Sequence, residues 1–175
     1  MSPIFSGAQT TTSASQQPLP KGLYTFKVTD VAIHDKSYPD QLDENGDPVR
    51  KSGVRYTLEY ESGASSPEAL KQIEKGYRTS LWLYFHTEGG RSAAKRFVMA
   101  CLGFKPGAAS EAQFNKYVAD NFSEGADIID TDSNEIGAYW RAPIGTSVVG
   151  DLDISLQKET NAPQQSFKRW MPYAK

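Results

Sequence analysis

The segment YRTSLWLYFH, at positions 77 to 86, carries the side chains of this chain that are best suited to hold a ligand. If the segment is a strand, its side chains alternate between two faces. One face is apolar, and the other carries the row Arg78, Ser80, Trp82, Tyr84 and His86. Aromatic rings beside a guanidinium group can stack flat ligands such as nucleobases. The segment therefore predicts a core contact on one face and a binding surface on the other.

Catalysis and metal binding find little support in the chain. Its two histidines, His34 and His86, stand in no motif that places a base beside a nucleophile, and Cys101 is the single cysteine. Residues 43 to 47 have the alternating spacing of a calcium loop, but Pro48 occupies the position that requires glycine and the distal glutamate is missing. The sequence therefore predicts a protein that is not an enzyme, with no catalytic residues, metal or cofactor.

Length and composition indicate one ordinary soluble domain. The chain has 175 residues and a formal net charge of −2, so it lacks the basic excess of proteins that grip duplex DNA by charge alone. No apolar run approaches the roughly 20 residues of a membrane helix, no secretory leader is recognisable, and one cysteine cannot form an internal disulfide. These features predict a cytoplasmic location and no membrane partner.

Turn residues and alternating patterns divide the chain into an arm and a folded domain. Residues 1 to 20 are rich in Ser, Thr, Gln and Pro and are predicted to be a flexible arm, while residues 21 to 175 form one domain. Five strands are predicted, over residues 24 to 34, 53 to 61, 77 to 86, 145 to 156 and 166 to 171.

The segments between the strands contain turn and helix signals. Residues 35 to 52 are dense in turn formers and are predicted to be a loop or a small hairpin. A short helix is expected over residues 66 to 76, and Ser92 and Ser110 can begin two further helices between the third and fourth strands.

This order predicts a mainly β protein with helical insertions, of the α+β class. Five strands with helices between the third and fourth are typical of the five-stranded OB-fold barrel; a β-sandwich with helical decorations is the competing arrangement. OB-folds bind oligonucleotides across strands two and three and between the loops that join strands one to two and four to five. The candidate nucleic-acid-binding residues are therefore Arg55, Arg78, Trp82, Tyr84 and His86 on the strands, Lys36, Tyr38, Arg50 and Lys51 in the first loop, and Lys158, Lys168, Arg169 and Trp170 at the end of the second.

Several segments together resemble a known family. GLYTFKVTDVAIHD, GVRYTLEYESG, GYRTSLWLYFHTEGG, AAKRFVMACLGF and IGTSVVGDLDISLQKE have the layout of phage-encoded single-stranded DNA-binding proteins of OB-fold type, over roughly residues 21 to 172. The resemblance implies sequence-tolerant coating of single strands in replication or recombination, in the host cytoplasm. Single-stranded DNA is then the expected partner, with phage replication proteins or further copies of the chain as additional candidates.

The same residues allow a second interpretation. A helix could cover Trp82 and Tyr84, and Trp170 suits a core or barrel-closing position. Aromatic residues and arginine are also enriched where proteins contact each other. The alternative function is therefore a phage structural or protein-interaction protein with an aromatic interface.

Overall fold

A computed structural model describes residues 8–12, 19–63, 77–156 and 163–174. The strands are β1 (Ala8–Thr12), β2 (Gly22–Leu42), β3 (Pro48–Gly63), β4 (Arg78–Tyr84), β5 (Ile129–Asp130), β6 (Glu135–Ile136), β7 (Ser147–Leu156) and β8 (Pro163–Pro172). The helices are α1 (Glu88–Cys101), α2 (Ala108–Asn121) and α3 (Ala138–Arg141).

The protein is mainly β and is built on a five-stranded antiparallel sheet. Its strand order is β4-β3-β2-β7-β8, and every neighbouring pair is antiparallel. The five predicted strands correspond to these five. β2 and β3 extend much further than predicted, however, because residues 35 to 52, for which a loop or a small hairpin is predicted, form a long paired hairpin with Asp35 opposite Ser52 and Tyr38 opposite Val49.

Five residues of the segment that is predicted to be a flexible arm form a strand. Residues 8–12 form β1, which pairs with β4 from Ala8–Leu83 to Thr12–Thr79 and meets β8 at the single pair Gln9–Ser166. Leu19 is fully buried. The strand order therefore runs in a ring through β1, which lies between the two outer strands of the five-stranded sheet.

The core fills the inner face of the sheet. Alternating residues of β3 and β4, among them Tyr56, Leu58, Leu81 and Leu83, are fully or almost fully buried, as their spacing predicts. The buried side of α1 contributes to the same core through Phe97 and its neighbours.

The starts of the two longer helices differ from the predicted starts by a few residues. The N-cap of α1 is Thr87, whose hydroxyl oxygen accepts a hydrogen bond from the Gly90 amide, so the helix begins before the predicted Ser92. Gly107 precedes α2, where Ser110 was the expected start. The predicted helix over residues 66 to 76 lies outside the described residues.

The segment from 127 to 142 has no assignment from the sequence. It forms the β5–β6 hairpin and α3. Within the described ranges, no helix is long and apolar enough to cross a membrane.

Candidate nucleic-acid interface

The outer face of β2, β3 and β4 brings aromatic rings and basic groups together near the hairpin end of the sheet. We call this surface the panel. It consists of His34, Lys36, Tyr38, Lys51, Arg55, Trp82, Tyr84 and His86.

A glycine in the middle strand allows the two outer strands of the panel to make contact. Gly53 pairs with His34 on one side and with Tyr84 on the other. Strands separated by a third are about 10 Å apart, yet the His34 ring lies 4.5 Å from Trp82 and 5.5 Å from Tyr84, between ring centroids. A Cβ at position 53 would stand 1.8 Å from the Leu83 carbonyl oxygen, so the close approach of the β3 and β4 backbones at this point requires glycine.

Trp82 is the half-exposed aromatic platform of the panel. It pairs with Arg55 across β3 and β4, and the guanidinium carbon lies 5.4 Å from the centre of the Trp82 ring. Arg55 itself is exposed. A planar cation above an indole is the arrangement in which both groups can take part in stacking a base.

Lys51 is buried, which differs from the exposed rim position predicted for it. Only 3% of the residue is exposed, because the hairpin pairs it with Lys36 and packs it against Tyr38. Both ammonium groups lie over the Tyr38 ring, at 5.2 Å for Lys36 and 4.9 Å for Lys51. Burial lowers the pKa of Lys51.

Tyr84 is on the predicted face but is covered, so it is not the open stacking surface that the sequence suggests. It is 4% exposed, and burial raises its pKa to about 12. His86 remains exposed with its ring centroid 5.7 Å from that of Tyr84. Burial and the charge of Lys51 lower the pKa of His86.

Two predicted cations beside the panel are compensated by carboxylates. Arg50 holds Asp35 through two hydrogen bonds, one of them 2.8 Å from Nε to Oδ1. Arg78 lies 3.5 Å from Glu59, its partner across the strands. Neither side chain therefore contributes a free positive charge to the surface.

The late segment does not join the panel. Trp170 is 5% exposed and packs on Phe167 and Phe97, at centroid distances of 4.2 and 4.9 Å, so it is a core residue. Lys168 pairs with Asp153 at 3.4 Å and Arg169 with Asp151 at 3.1 Å. Lys158 lies outside the described residues.

His34 belongs to the panel although the sequence analysis did not select it. The alternation of side chains along a strand could have predicted this position. Residues 34, 36 and 38 share a face if the first strand continues past His34. Burial lowers the pKa of His34 first, followed by the charges of Lys36 and Arg55, while Asp35 raises it.

A separate cavity of about 650 Å³ lies among the helices. Its walls include the aromatic side chains of Phe85, Phe114, Phe122, Tyr139 and Trp140. No panel residue lines it. Within the described ranges, no group of three or more His, Cys, Asp or Glu side chains could hold a metal ion.

No protein-family model, curated protein or solved structure matches this chain. The function of the panel therefore has to be inferred from its own residues.

Proposed function

We propose that the protein binds single-stranded DNA across the panel and coats single strands in phage replication or recombination. The observation that carries the proposal is the pairing of the exposed Arg55 with the half-exposed Trp82, next to two lysines on the same face. Aromatic platforms and backbone cations are the two components of sequence-tolerant single-strand binding.

The strand arrangement supports an OB-type barrel as the scaffold. The panel lies on the second and third strands of the five-stranded sheet and on the first strand beside them, which is the face that OB-folds use for oligonucleotides. β2 spans 21 residues and changes register with β3 at three places, so it can bend around the barrel and continue into the hairpin.

The expected energies are sufficient for useful affinity. A stacked base contributes about 1 to 3 kcal/mol, and each neutralised phosphate of a single strand adds about 0.7 to the slope of log affinity against log salt. The panel can therefore attract phosphate groups through Arg55, Lys36 and Lys51, although the whole chain has a net charge of −2.

Tryptophan fluorescence tests the proposal. Among the three tryptophans, Trp140 and Trp170 are buried and Trp82 is half-exposed, so a thymidine oligonucleotide should quench mainly Trp82. We expect quenching at low salt that reverses as salt rises. Trp82→Phe should bind with similar affinity but lose most of the quenching, which would show that the quenched emission comes from Trp82. Absence of any response at low salt would refute the proposal.

One observation favours the alternative function, a structural or interaction protein. Arg50, Arg78, Lys168 and Arg169 each pair with a carboxylate, so less free charge is available for DNA than the sequence suggests. If the alternative holds, the panel contacts a protein, and Trp82→Ala should abolish that contact while oligonucleotides leave the fluorescence unchanged.

A further inference from the structure

At the hairpin end of the panel, Lys51 has no carboxylate partner among the residues that the structure describes. Lys51 is also almost completely buried. Buried charges in proteins are normally paired, because an ammonium group removed from water loses solvation that only a counter-charge restores.

The groups that surround Lys51 are themselves basic or aromatic. Lys36 is its partner across the strands, and Tyr38 presents its ring to both ammonium groups. The His86 ring lies 5.7 Å from that of Tyr84, and burial followed by the charge of Lys51 lowers the pKa of His86. Asp35 is the adjacent acid on β2, but Arg50 already occupies both of its carboxylate oxygens.

A second, independent observation comes from His34. Its Nε2 atom is buried and has no hydrogen-bond partner among the residues that the structure describes. The imidazole faces Trp82 and Tyr84 of β4, Arg55 of β3, and Lys36 and Asp35 of its own strand. A buried ring nitrogen without a partner costs free energy.

We infer that Lys51, His86 and His34 form a phosphate subsite that takes up a proton when a phosphate group fills it. The inference rests on the proposed function, since the phosphodiester of a bound strand is the intended ligand, and free phosphate has the same chemistry. The phosphate would supply the missing counter-charge to Lys51 and would favour the protonated form of a neighbouring imidazole.

The sign of the resulting pH dependence follows from linkage. Burial and neighbouring positive charges lower the pKa values of His34 and His86, which favours the neutral imidazole in the free protein. A bound phosphate raises the pKa of a neighbouring imidazole. The complex then holds more protons than the free protein, so affinity must rise as pH falls through the window between the two pKa values.

Two measurements on the full chain test the subsite. The first is the affinity for a thymidine oligonucleotide from pH 5.5 to 8.5 at constant ionic strength, since thymine does not titrate in this range. We expect affinity to rise toward low pH, by at most about tenfold per pH unit for one linked proton. The double variant His34→Gln, His86→Gln should lose this rise, while Arg169→Gln, a cation outside the subsite, should retain it.

The second measurement is the NMR titration of the imidazole protons, which is simple to assign because the chain has two histidines. Inorganic phosphate and the oligonucleotide should each raise the pKa of a histidine in the wild type, and Lys51→Gln should abolish the rise. Lys51→Arg should preserve it, which separates a loss of charge from a loss of folding.

The outcomes distinguish the two proposals. Oligonucleotide binding that is independent of pH, with unchanged histidine titration, overturns the subsite and leaves DNA binding intact. Loss of oligonucleotide binding together with a phosphate-induced rise in histidine pKa overturns the proposed function and keeps a site for free phosphate. No effect of either ligand on the histidines overturns the inference.

Discussion

Two regions of the same sheet contain a tryptophan near an arginine, and the structure gives them opposite environments. In the panel, Trp82 is half-exposed and Arg55 lies over its ring without a carboxylate partner among the described residues. At the β7–β8 end, Trp170 is buried and Arg169 is paired with Asp151. Identical residue types therefore differ in role because of their neighbours across the sheet.

The two regions also use glycine differently. Gly53 removes a side chain from the middle of the panel, so that His34 reaches the rings of β4 from two strands away. Gly150 makes room on the inside, where an added Cβ would lie 2.5 Å from the Phe167 ring and 2.8 Å from that of Trp170. One glycine assembles a surface and the other completes a core.

The largest expected difference between the regions concerns stability. Trp170→Ala removes a buried ring from between Phe97 and Phe167 and should lower the free energy of unfolding by about 3 to 5 kcal/mol. Trp82→Ala, the matched change in the panel, should cost less than half as much. Urea denaturation measures both, and equal losses would mean that Trp82 is a core residue.

The next difference concerns oligonucleotide affinity. Trp82→Ala should weaken binding by about 1 to 3 kcal/mol because one stacking platform is lost. A fluorescently labelled oligonucleotide measured by anisotropy reports this change independently of tryptophan emission. A folded variant with unchanged affinity would remove Trp82 from the interface.

Removing one positive charge should affect the salt dependence of oligonucleotide affinity in the panel but not at the β7–β8 end. Arg55→Gln should reduce the slope of log affinity against log salt by about 0.7, the value for one phosphate of a single strand. Arg169→Gln should leave the slope unchanged, because Asp151 already compensates that cation. A comparable reduction in both variants would show that the β7–β8 end also contacts the strand.

The smallest difference concerns stability in acid. Hydrogen bonds from Arg50 lower the pKa of Asp35, and a backbone amide together with Lys168 lowers that of Asp153. A carboxylate with a lowered pKa stabilises the fold at neutral pH and loses this contribution as pH falls through the folded value. Asp35→Asn and Asp153→Asn should each make the urea midpoint depend less on pH as the pH falls below the ordinary aspartate pKa of 3.8. An unchanged profile would mean that these pairs contribute nothing.

The sequence predicted those parts of the fold in which apolar residues alternate. The inner rows with Tyr56 and Leu58 on β3 and Leu81 and Leu83 on β4 are buried as their period indicates. β1 could not be found this way, because AQTTT has no apolar alternation and is held by backbone pairing with β4. The turn formers between 35 and 52 predicted a loop or a small hairpin, but they did not indicate how far the hairpin strands pair.

The panel was predictable as a list of residue types and less so as a surface. Trp82 and Arg55 lie where the period of two places them. The pairing of Arg50 with Asp35 and the burial of Lys51 depend on a register that only the folded hairpin fixes. The sequence analysis did not select His34 for the same reason. His34 shares a face with Lys36 and Tyr38 only because β2 continues past residue 34.

The pairing of β1 with β4 couples the N-terminal segment to the panel. Residues 8 to 12 lie opposite residues 79 to 83. One edge of the strand that carries Trp82 is therefore paired with β3, and the other edge is paired with a segment near the start of the chain. Deuterium exchange at β4 amides should therefore report on detachment of β1. Proteolytic removal of that segment would leave β4 as an open sheet edge, available to pair with a strand of another molecule.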